Sequence, residues 1–314
     1  MSILTVLENA KHNWKSGLTV SLVAMPLSIS LAVASGSTPT IGIITAVWAG
    51  LTAAVFGGSH FNVVGPTGAL SGLIAAYAVS HGTGGLASVT IIAGCFILVA
   101  YALKLERYLI FIPSSVINGF TLGVALIIAF NQFNSAFGLS NLPKHETFFS
   151  NVIESLKHIS GTSLPTLAVF ALSLSLLFLL RKAIPKIPGA LILSPLGIIV
   201  GYMASVGSFP YQLATLGSVF SNVTFALFQP THFGVSTTMI LPAAAIALVA
   251  ILETMLSAKI ADGMTHTKHD ERKEMLGLGL ANIASGLAGG IPATAALART
   301  SLNIKTGATD RISA

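Results

Sequence analysis

The chain has 314 residues, of which 53% are hydrophobic and 8% are charged, and its mean hydropathy is +0.84. Soluble domains carry roughly 25% charged residues, so this composition excludes a water-soluble globule. Apolar runs long enough to cross a bilayer recur, and the alternation typical of a membrane β-barrel does not appear. The sequence therefore predicts an all-α membrane protein.

Glycine, proline and charged residues divide the chain into ten predicted membrane segments. In chain order they are 17–35, 40–56, 66–79, 86–103, 113–131, 164–180, 189–205, 239–257, 274–288 and 293–306. The third and the tenth have about 14 residues and reach about 21 Å, which is less than the ~30 Å hydrocarbon core. Both are therefore predicted to be half-helices.

The basic residues are distributed unevenly between the two sides of this topology. Of the 16 Lys and Arg residues, thirteen fall on the side of the N-terminus, two (Lys144 and Lys157) fall on the other side, and Arg299 lies within a segment. Because cytoplasmic loops are enriched in Lys and Arg, the N-terminus is predicted to be cytoplasmic, in a bacterial inner membrane. This distribution accounts for the net charge of +6. The predicted partner is therefore membrane lipid and not nucleic acid.

The two short segments begin alike, each with a glycine pair, an irregular stretch and a proline. The third follows Gly57-Gly58 and Pro66, and the tenth follows Gly289-Gly290 and Pro292. They lie seven segments apart, an odd number, so they would belong to repeats of opposite topology. Such paired, interrupted segments point to the binding site of a transporter. The alternative is a pair of kinked helices whose small residues only permit close packing.

Two half-helices that start at mid-membrane would aim free N–H groups and positive dipole ends at one point, which attracts an anion. Small residues would let a ligand approach the backbone closely, and one threonine would add a hydroxyl donor. The candidates are Thr67, Gly68, Ala69, Ala295 and Ala296.

Two charged residues lie well inside predicted segments, away from their ends, where charge is costly and by default functional. Glu253 is predicted either to carry a coupling proton or to be a structural partner, with Arg299 as the candidate for the other half of the pair. Arg299 would alternatively present its charge to the anion, or extend its side chain toward the cytoplasm.

Other reactive residue types suggest no chemistry. Cys95 lies in an apolar run and is predicted to be a small core residue. His266 and His269, near Asp262 and Asp270, match no standard ligand spacing and are predicted to lie in a solvated cytoplasmic loop. No metal site, cofactor or catalytic motif is predicted, and we expect that the protein is not an enzyme.

Several collinear motifs resemble the SulP (sulfate permease) family, and together they cover essentially the whole chain. They are Ser16-Gly17-Leu18-Thr19-Val20 with Ala24-Met25-Pro26-Leu27, Gly65-Pro66-Thr67, Ile112-Pro113 with Gly119-Phe120-Thr121, Leu252-Glu253-Thr254 with Ala261-Asp262-Gly263, and the stretch from Asn282 to Arg299. The resemblance implies fourteen segments in two inverted repeats of seven, the second incomplete here. It also implies elevator-like movement of a core domain against a gate domain, and commonly a homodimer.

The resemblance further implies a domain organisation and a binding site. The domains are a cytoplasmic N-terminus 1–16, core segments one to four in 17–104, gate segments five to seven in 105–206, a periplasmic connection 207–238, and core segments eight to ten in 239–314. The implied substrate-binding residues are Leu27, Leu31, Thr67, Gly68, Ala69, Ala295, Ala296, Leu297, Ala298 and Arg299, with Glu253 facing them from segment eight. Many family members have glutamine at Leu27 and some have serine at Ala298, so this site is expected to rely on backbone N–H groups.

The resulting expectation is a secondary active transporter of sulfate, bicarbonate or a small dicarboxylate, with H⁺ or Na⁺ as the coupling ion. Arg299 favours proton coupling or exchange, because sodium-coupled bicarbonate members tend to lack that arginine. Two alternatives stay open. One is a nucleobase permease of the same fold, and the other is a non-transporting membrane scaffold or fragment, which the end of the sequence at Ala314 would favour.

Overall fold

The structure is a computed structural model, and it describes most of the chain. The described residues are 3–111, 114–140, 142–185, 189–209, 211, 213–220, 226–229 and 233–314. Parts of the predicted connection 207–238, the Ile112-Pro113 motif and Lys186 lie outside them.

The described residues form thirteen α-helices and one sheet of two short strands. The helices are α1 (Ile3–Ala34), α2 (Pro39–Phe56), α3 (Gly68–His81), α4 (Leu86–Ala102), α5 (Ser114–Asn131), α6 (Phe133–Phe137), α7 (Phe148–Lys157), α8 (Leu164–Ala183), α9 (Gly189–Ser205), α10 (Leu216–Val219), α11 (Ile240–Thr265), α12 (Glu271–Leu287) and α13 (Leu297–Lys305). The strands are β1 (Val64–Gly65) and β2 (Thr294–Ala295). The predicted helical fold class is confirmed, with the sheet as an addition.

Within the described residues, six helical stretches are long and apolar enough to cross a membrane. They are Asn9–Ala34, Pro39–Phe56, Thr83–Ala102, Gly119–Phe137, Leu164–Ala183 and Thr237–Thr265. By contrast, α3 has 14 residues and α13 has 9, which correspond to about 21 Å and about 14 Å of helix. Neither short helix is long enough to cross the ~30 Å core.

The tenth predicted segment begins later than the sequence pattern indicates. Thr294 and Ala295 are extended and pair with β1, so α13 starts only at Leu297. Pro292 therefore precedes a strand, and the predicted helix start at residue 293 is wrong. The physical reason is that pairing with a strand 230 residues away replaces the local helical hydrogen bonds, which a local pattern does not report.

The chain divides into two compact units, and the first comprises Met1–Ala125 and Phe225–Ala314. In this unit α12 packs on α2 and α4, and the short helices α3 and α13 both pack on α1 and α11. The largest apolar cluster is formed by side chains such as Leu70, Ile97 and Ile246. Cys95 is exposed on α4, so its predicted core position is wrong. A run that is apolar all round does not indicate which face is buried.

The second unit comprises Leu126–Thr224. Here α6 and α9 pack on α8, and α8 has no buried residue. A membrane-spanning stretch of high hydropathy with this degree of exposure is suited to contact with lipid.

The end of the described chain is fastened to α1. The Asn13 Oδ1 accepts the Thr309 N–H at 2.8 Å, and the Ser16 hydroxyl donates to the Asn303 carbonyl at 2.9 Å. Asn13 and Ser16 are both buried. These bonds fix the C-terminal end of α13 against the first helix.

Helices α4 and α12 approach closely because glycine lies at their contact. A Cβ at Gly94 would be 2.9 Å from the Gly279 carbonyl oxygen and 3.0 Å from the Ile283 nitrogen, and backbone atoms cannot swing away as a side chain would. We expect Gly94→Ala to push the helices apart and to lower stability by about 1–3 kcal/mol.

The measurement is the midpoint of thermal unfolding in detergent. Gly197→Ala is the matched control, because a Cβ at Gly197 on α9 meets no atom within 4 Å and alanine favours the helix. Equal midpoints for Gly94→Ala and the native protein would contradict the close packing.

Candidate functional site

The N-terminal ends of α3 and α13 are brought together by the sheet. Val64 pairs with Ala295 and Gly65 with Thr294, in antiparallel register. We call these four residues the crossing. Because the strands are antiparallel and each leads into a short helix, the two helices start at opposite ends of this two-residue ladder, within the first unit.

Side chains satisfy the irregular backbone that leads into β2. Asn282 makes two bonds to Ala293, donating to its carbonyl and accepting from its N–H, both at 2.9 Å. The Ile291 N–H donates to the Thr45 hydroxyl at 2.9 Å, and the Ile291 carbonyl accepts from the Ser285 hydroxyl at 2.8 Å. Non-helical backbone at membrane depth is tolerated only where the protein supplies such partners.

Helix α11 supports the crossing from the other side. The Ala295 N–H donates to the Thr254 hydroxyl at 3.1 Å, and the Thr294 hydroxyl donates to the Ala250 carbonyl at 3.0 Å. The Ala296 N–H donates to the Val63 carbonyl at 3.1 Å. Two of the predicted site residues, Ala295 and Ala296, therefore use their N–H groups to hold the fold.

The first turns of the two short helices are not capped by side chains. Neither Thr67 nor Ala296, the N-cap residues of α3 and α13, forms a side-chain cap bond. The first N–H groups of a helix have no intrahelical partner, so the first turns, from Gly68 and from Leu297, present donors at the crossing. The donors on α13 lie one turn later than the sequence predicts.

The predicted site residues differ in exposure. Thr67, Gly68, Ala69, Ala295, Arg299 and Leu31 are buried, Leu27, Ala296, Leu297 and Glu253 are partly buried, and Ala298 is exposed. The more accessible of the predicted site residues are therefore those around the first turn of α13, together with Leu27 on α1 and Glu253 on α11.

Arg299 lies at the crossing and is 1% exposed. Its Nη2 donates to the Pro66 carbonyl at 2.8 Å and its Nη1 to the Ser28 hydroxyl at 3.4 Å, while its buried Nε has no hydrogen-bond partner among the described residues. A Cβ at Gly65 would lie 2.7 Å from Nη1, so glycine makes room for the guanidinium. The predicted alternative, a side chain that extends to the cytoplasm, is wrong because the head group is enclosed.

Glu253 faces the start of α3 from α11. The Thr67 hydroxyl donates to Glu253 Oε2 at 2.9 Å. No ion pair within 4.0 Å joins Glu253 to Arg299 in the described part of the chain, so the predicted pairing is not a direct salt bridge. The two groups flank the same helix start with opposite charges.

Glu274 is a buried carboxylate that the sequence pattern did not single out. It is 4% exposed, and it accepts the N–H groups of Gly58 and Ser59 at 2.7 and 2.8 Å and the Nδ2 of Asn62 at 2.5 Å. The residue lies at the start of the predicted segment 274–288, where an acidic side chain is common in the first turn of a helix and indicates no special role. The signal that could have identified it is the Gly57-Gly58 pair, because consecutive glycines indicate a backbone that another group approaches closely.

The Asn62 side chain, which donates to Glu274, also connects it to α11 and α13. Its Oδ1 accepts the Ser257 hydroxyl at 2.9 Å, and Ser257 lies one turn after Glu253 on α11. The Ser257 hydroxyl oxygen also lies 3.0 Å from that of Thr300, next to Arg299 on α13. Glu274 thus positions the crossing through Asn62.

The histidine loop differs from its prediction. The side chain of His269 is 8% exposed and its Nδ1 lies 2.7 Å from Asp262 Oδ2, while His266 is exposed. The interpretation of a solvated loop is therefore wrong for His269. Among the described residues, no group of three or more His, Cys, Asp or Glu side chains could hold a metal ion.

Asp270 is the N-cap residue of α12 and lies outside the membrane segments. Its Oδ1 accepts the Lys273 N–H at 3.0 Å, and this backbone bond lowers the pKa of the carboxyl below its ordinary value. A carboxyl whose pKa is lowered by folding adds stability above its unfolded pKa. That contribution is lost as the pH falls through the folded value.

We expect Glu274→Gln to destabilise the protein by about 1.5–3 kcal/mol, because an amide replaces a charged acceptor of three donors. The measurement is the thermal unfolding midpoint in detergent. Glu271→Gln, an exposed acid in the same first turn, is the control and should change little. A loss at Glu271→Gln as large as at Glu274→Gln would contradict the role of the buried contacts.

The geometry agrees with three kinds of comparison. The sequence matches the family described as the sulfate permease family over residues 11–314. It is 37% identical over 302 residues to YvdB of Bacillus subtilis (strain 168), a protein named for sulfate transport, and 30% identical over 325 residues to the bicarbonate transporter BicA of Picosynechococcus sp. (strain ATCC 27264 / PCC 7002 / PR-6). Each alignment covers 95% of this chain but only 56% and 54% of the relative, so the chain spans about half the length of these curated relatives.

The fold is also similar to a solved structure. The transmembrane domain of a cyanobacterium bicarbonate transporter, BicA, matches with a TM-score of 0.78 at 23% identity, covering 97% of this chain and 79% of that one. At this identity the match supports the fold alone.

Proposed function

Because the chain belongs to the sulfate permease family, we propose that it forms part of a secondary active transporter that binds an anion at the crossing. The anion would lie against the first turns of α3 and α13, bounded by Leu27 and Leu31 of α1 and by Ala298. The class of substrate is a small oxyanion: sulfate, bicarbonate or a small dicarboxylate.

One observation carries this proposal. The Arg299 guanidinium is enclosed, with one nitrogen lacking a partner and no carboxylate within 4.0 Å among the described residues. A buried charge is costly unless it is paired. Two uncapped helix starts add partial positive charge at the same place, so a bound anion would offset all three.

The donors favour oxyanions over nucleobases. A nucleobase would need several side-chain amides or carboxylates around it, and the exposed and partly exposed residues at the start of α13 are Ala296, Leu297 and Ala298. Backbone N–H groups suit the oxygen atoms of sulfate, bicarbonate and carboxylates alike, which is why these three stay together as one proposal.

The mode of transport belongs to the same proposal. The first unit carries both short helices and their supports, so the anion would move with that unit, in an elevator-like step, from one side of the inner membrane to the other. Glu253 would carry the coupling proton, or neighbour a coupling Na⁺, since it is bonded to Thr67 at the start of α3. A homodimer is consistent with the family.

The experiment is reconstitution of the full-length protein in liposomes. Uptake of labelled sulfate, bicarbonate and succinate is measured with and without a pH gradient. We expect at least one anion to accumulate inside the vesicles. A purified, correctly folded protein that takes up none of the three would contradict anion transport and favour a non-transporting scaffold.

We expect Arg299→Met to weaken anion binding roughly ten-fold or more, because a charged hydrogen-bond donor contributes about 1.5–3 kcal/mol and 1.4 kcal/mol is ten-fold. The measurement is the KM for anion uptake. Lys305→Met, an exposed cation on the same helix, is the control. Native affinity in a folded Arg299→Met protein would assign the guanidinium a purely structural role.

We expect Glu253→Gln to abolish the response of uptake to an imposed proton gradient, because the amide keeps the contact with Thr67 but does not titrate. Exchange of labelled for unlabelled anion across vesicles without a gradient should persist. The two assays are run on the same liposomes. Gradient-driven uptake at the native rate would show that Glu253 is structural.

A further inference from the structure

We propose that α7 is an interfacial helix whose apolar stripe, formed by Phe149, Ile153 and Leu156, lies in the lipid at the membrane–water boundary. This proposal concerns the second unit and does not depend on the anion site. The occupant of the stripe is the bilayer itself, at the level where acyl chains meet headgroups.

The sequence of α7 separates two faces. Spacings of four and three residues place Phe149, Ile153 and Leu156 on one side of the helix. All three residues are large and apolar, and yet they are 76%, 52% and 51% exposed, respectively. Three adjacent large apolar residues in that state form a patch that water does not favour.

The opposite face is already occupied by polar contacts. Asn151 Nδ2 donates to the His145 carbonyl at 2.7 Å, and the His145 N–H donates back to Asn151 Oδ1 at 2.9 Å. Glu154 lies within 3.9 Å of Lys157 and 3.3 Å of His158. These polar side chains are partly buried by their contacts with the preceding turn and the end of the helix, and the stripe points away from them.

The position of α7 in the chain brings it to the membrane surface. The spanning stretches Gly119–Phe137 and Leu164–Ala183 lie eleven and seven residues from the two ends of α7 in sequence. The ring of Phe148, the first residue of α7, meets the ring of Phe130 on α5 edge-on, with centroids 5.7 Å apart. This contact holds the start of α7 against a spanning helix, at Phe130, which is itself 43% exposed.

The charges beside the helix suit this location. Lys144 and Lys157 are the two lysines that the topology predicts on the outer side, and they lie just before and at the end of α7. Both residues are exposed. An amphipathic helix with an apolar face in the acyl boundary and lysines at the headgroups is the arrangement that binds a membrane plane.

The experiment uses nitroxide labels on the full-length protein in phosphatidylethanolamine and phosphatidylglycerol liposomes. Cys95, the one cysteine, is replaced by serine, and single cysteines are introduced as Phe149→Cys, Ile153→Cys and Leu156→Cys. His158→Cys, which follows α7 on the side of Glu154, is the matched control. Each label is tested for collision with O₂, which partitions into lipid, and with a nickel chelate, which stays in water.

We expect O₂ to collide more often than the nickel chelate at the three stripe positions, and the order to reverse at the control. All four sites are exposed, so the substitutions should leave folding intact, which monodisperse elution of each variant verifies. Preferential collision with nickel at the stripe would place it in water. Low collision with both reagents would place a protein surface, such as a second copy, on the stripe. Either result overturns the proposal.

Discussion

Antiparallel pairing between Val64–Gly65 and Thr294–Ala295 is the constraint on which the rest of the first unit depends. Extended backbone in a membrane interior exposes donors and acceptors that lipid cannot satisfy. Each strand supplies part of what the other needs, and Asn282, Thr254 and Thr45 supply the remainder. The crossing therefore depends on polar side chains offered by three surrounding helices, α2, α11 and α12.

This constraint also explains the position of charge in the unit. The Arg299 guanidinium next to the crossing donates to the Pro66 carbonyl and occupies the space that the missing side chain of Gly65 leaves. A carboxylate on α11 accepts from Thr67 on the other side of the same helix start. The two charges are held apart by the start of α3, so neither neutralises the other directly and both face the place where the helix dipoles converge.

Much of this arrangement could be predicted from the sequence, because it is encoded in local signals. Hydropathy identified the long helices, and the glycine and proline interruptions identified the two short ones. What failed depended on distant contacts. The start of α13 moved from 293 to 297 because β2 found its partner in β1, and the burial of Glu274 depended on Gly58, Ser59 and Asn62 from another part of the chain.

Faces were predicted less well than elements. Cys95 lies on a helix that is apolar all round, so the pattern could not show that it points outward. His269 lies in a polar loop, and only the contact with Asp262 distinguishes it from the exposed His266. The domain boundaries and the roles of the site residues remain predictions, which the functional measurements address.

The fastening of α13 at both ends has a consequence for how the site is lost. A helix of nine residues is too short to persist alone, because isolated helices below about 12 residues are marginal in water. One end of α13 continues from the crossing, and the other is bonded to α1 through Ser16. The hydrogen-bonded amide hydrogens of α13, from Thr300 onward, should therefore exchange only when the whole unit opens, as in a cooperative unit of the kind seen in native-state exchange. The anion site would then be lost only when the whole unit unfolds, and not by separate fraying of α13.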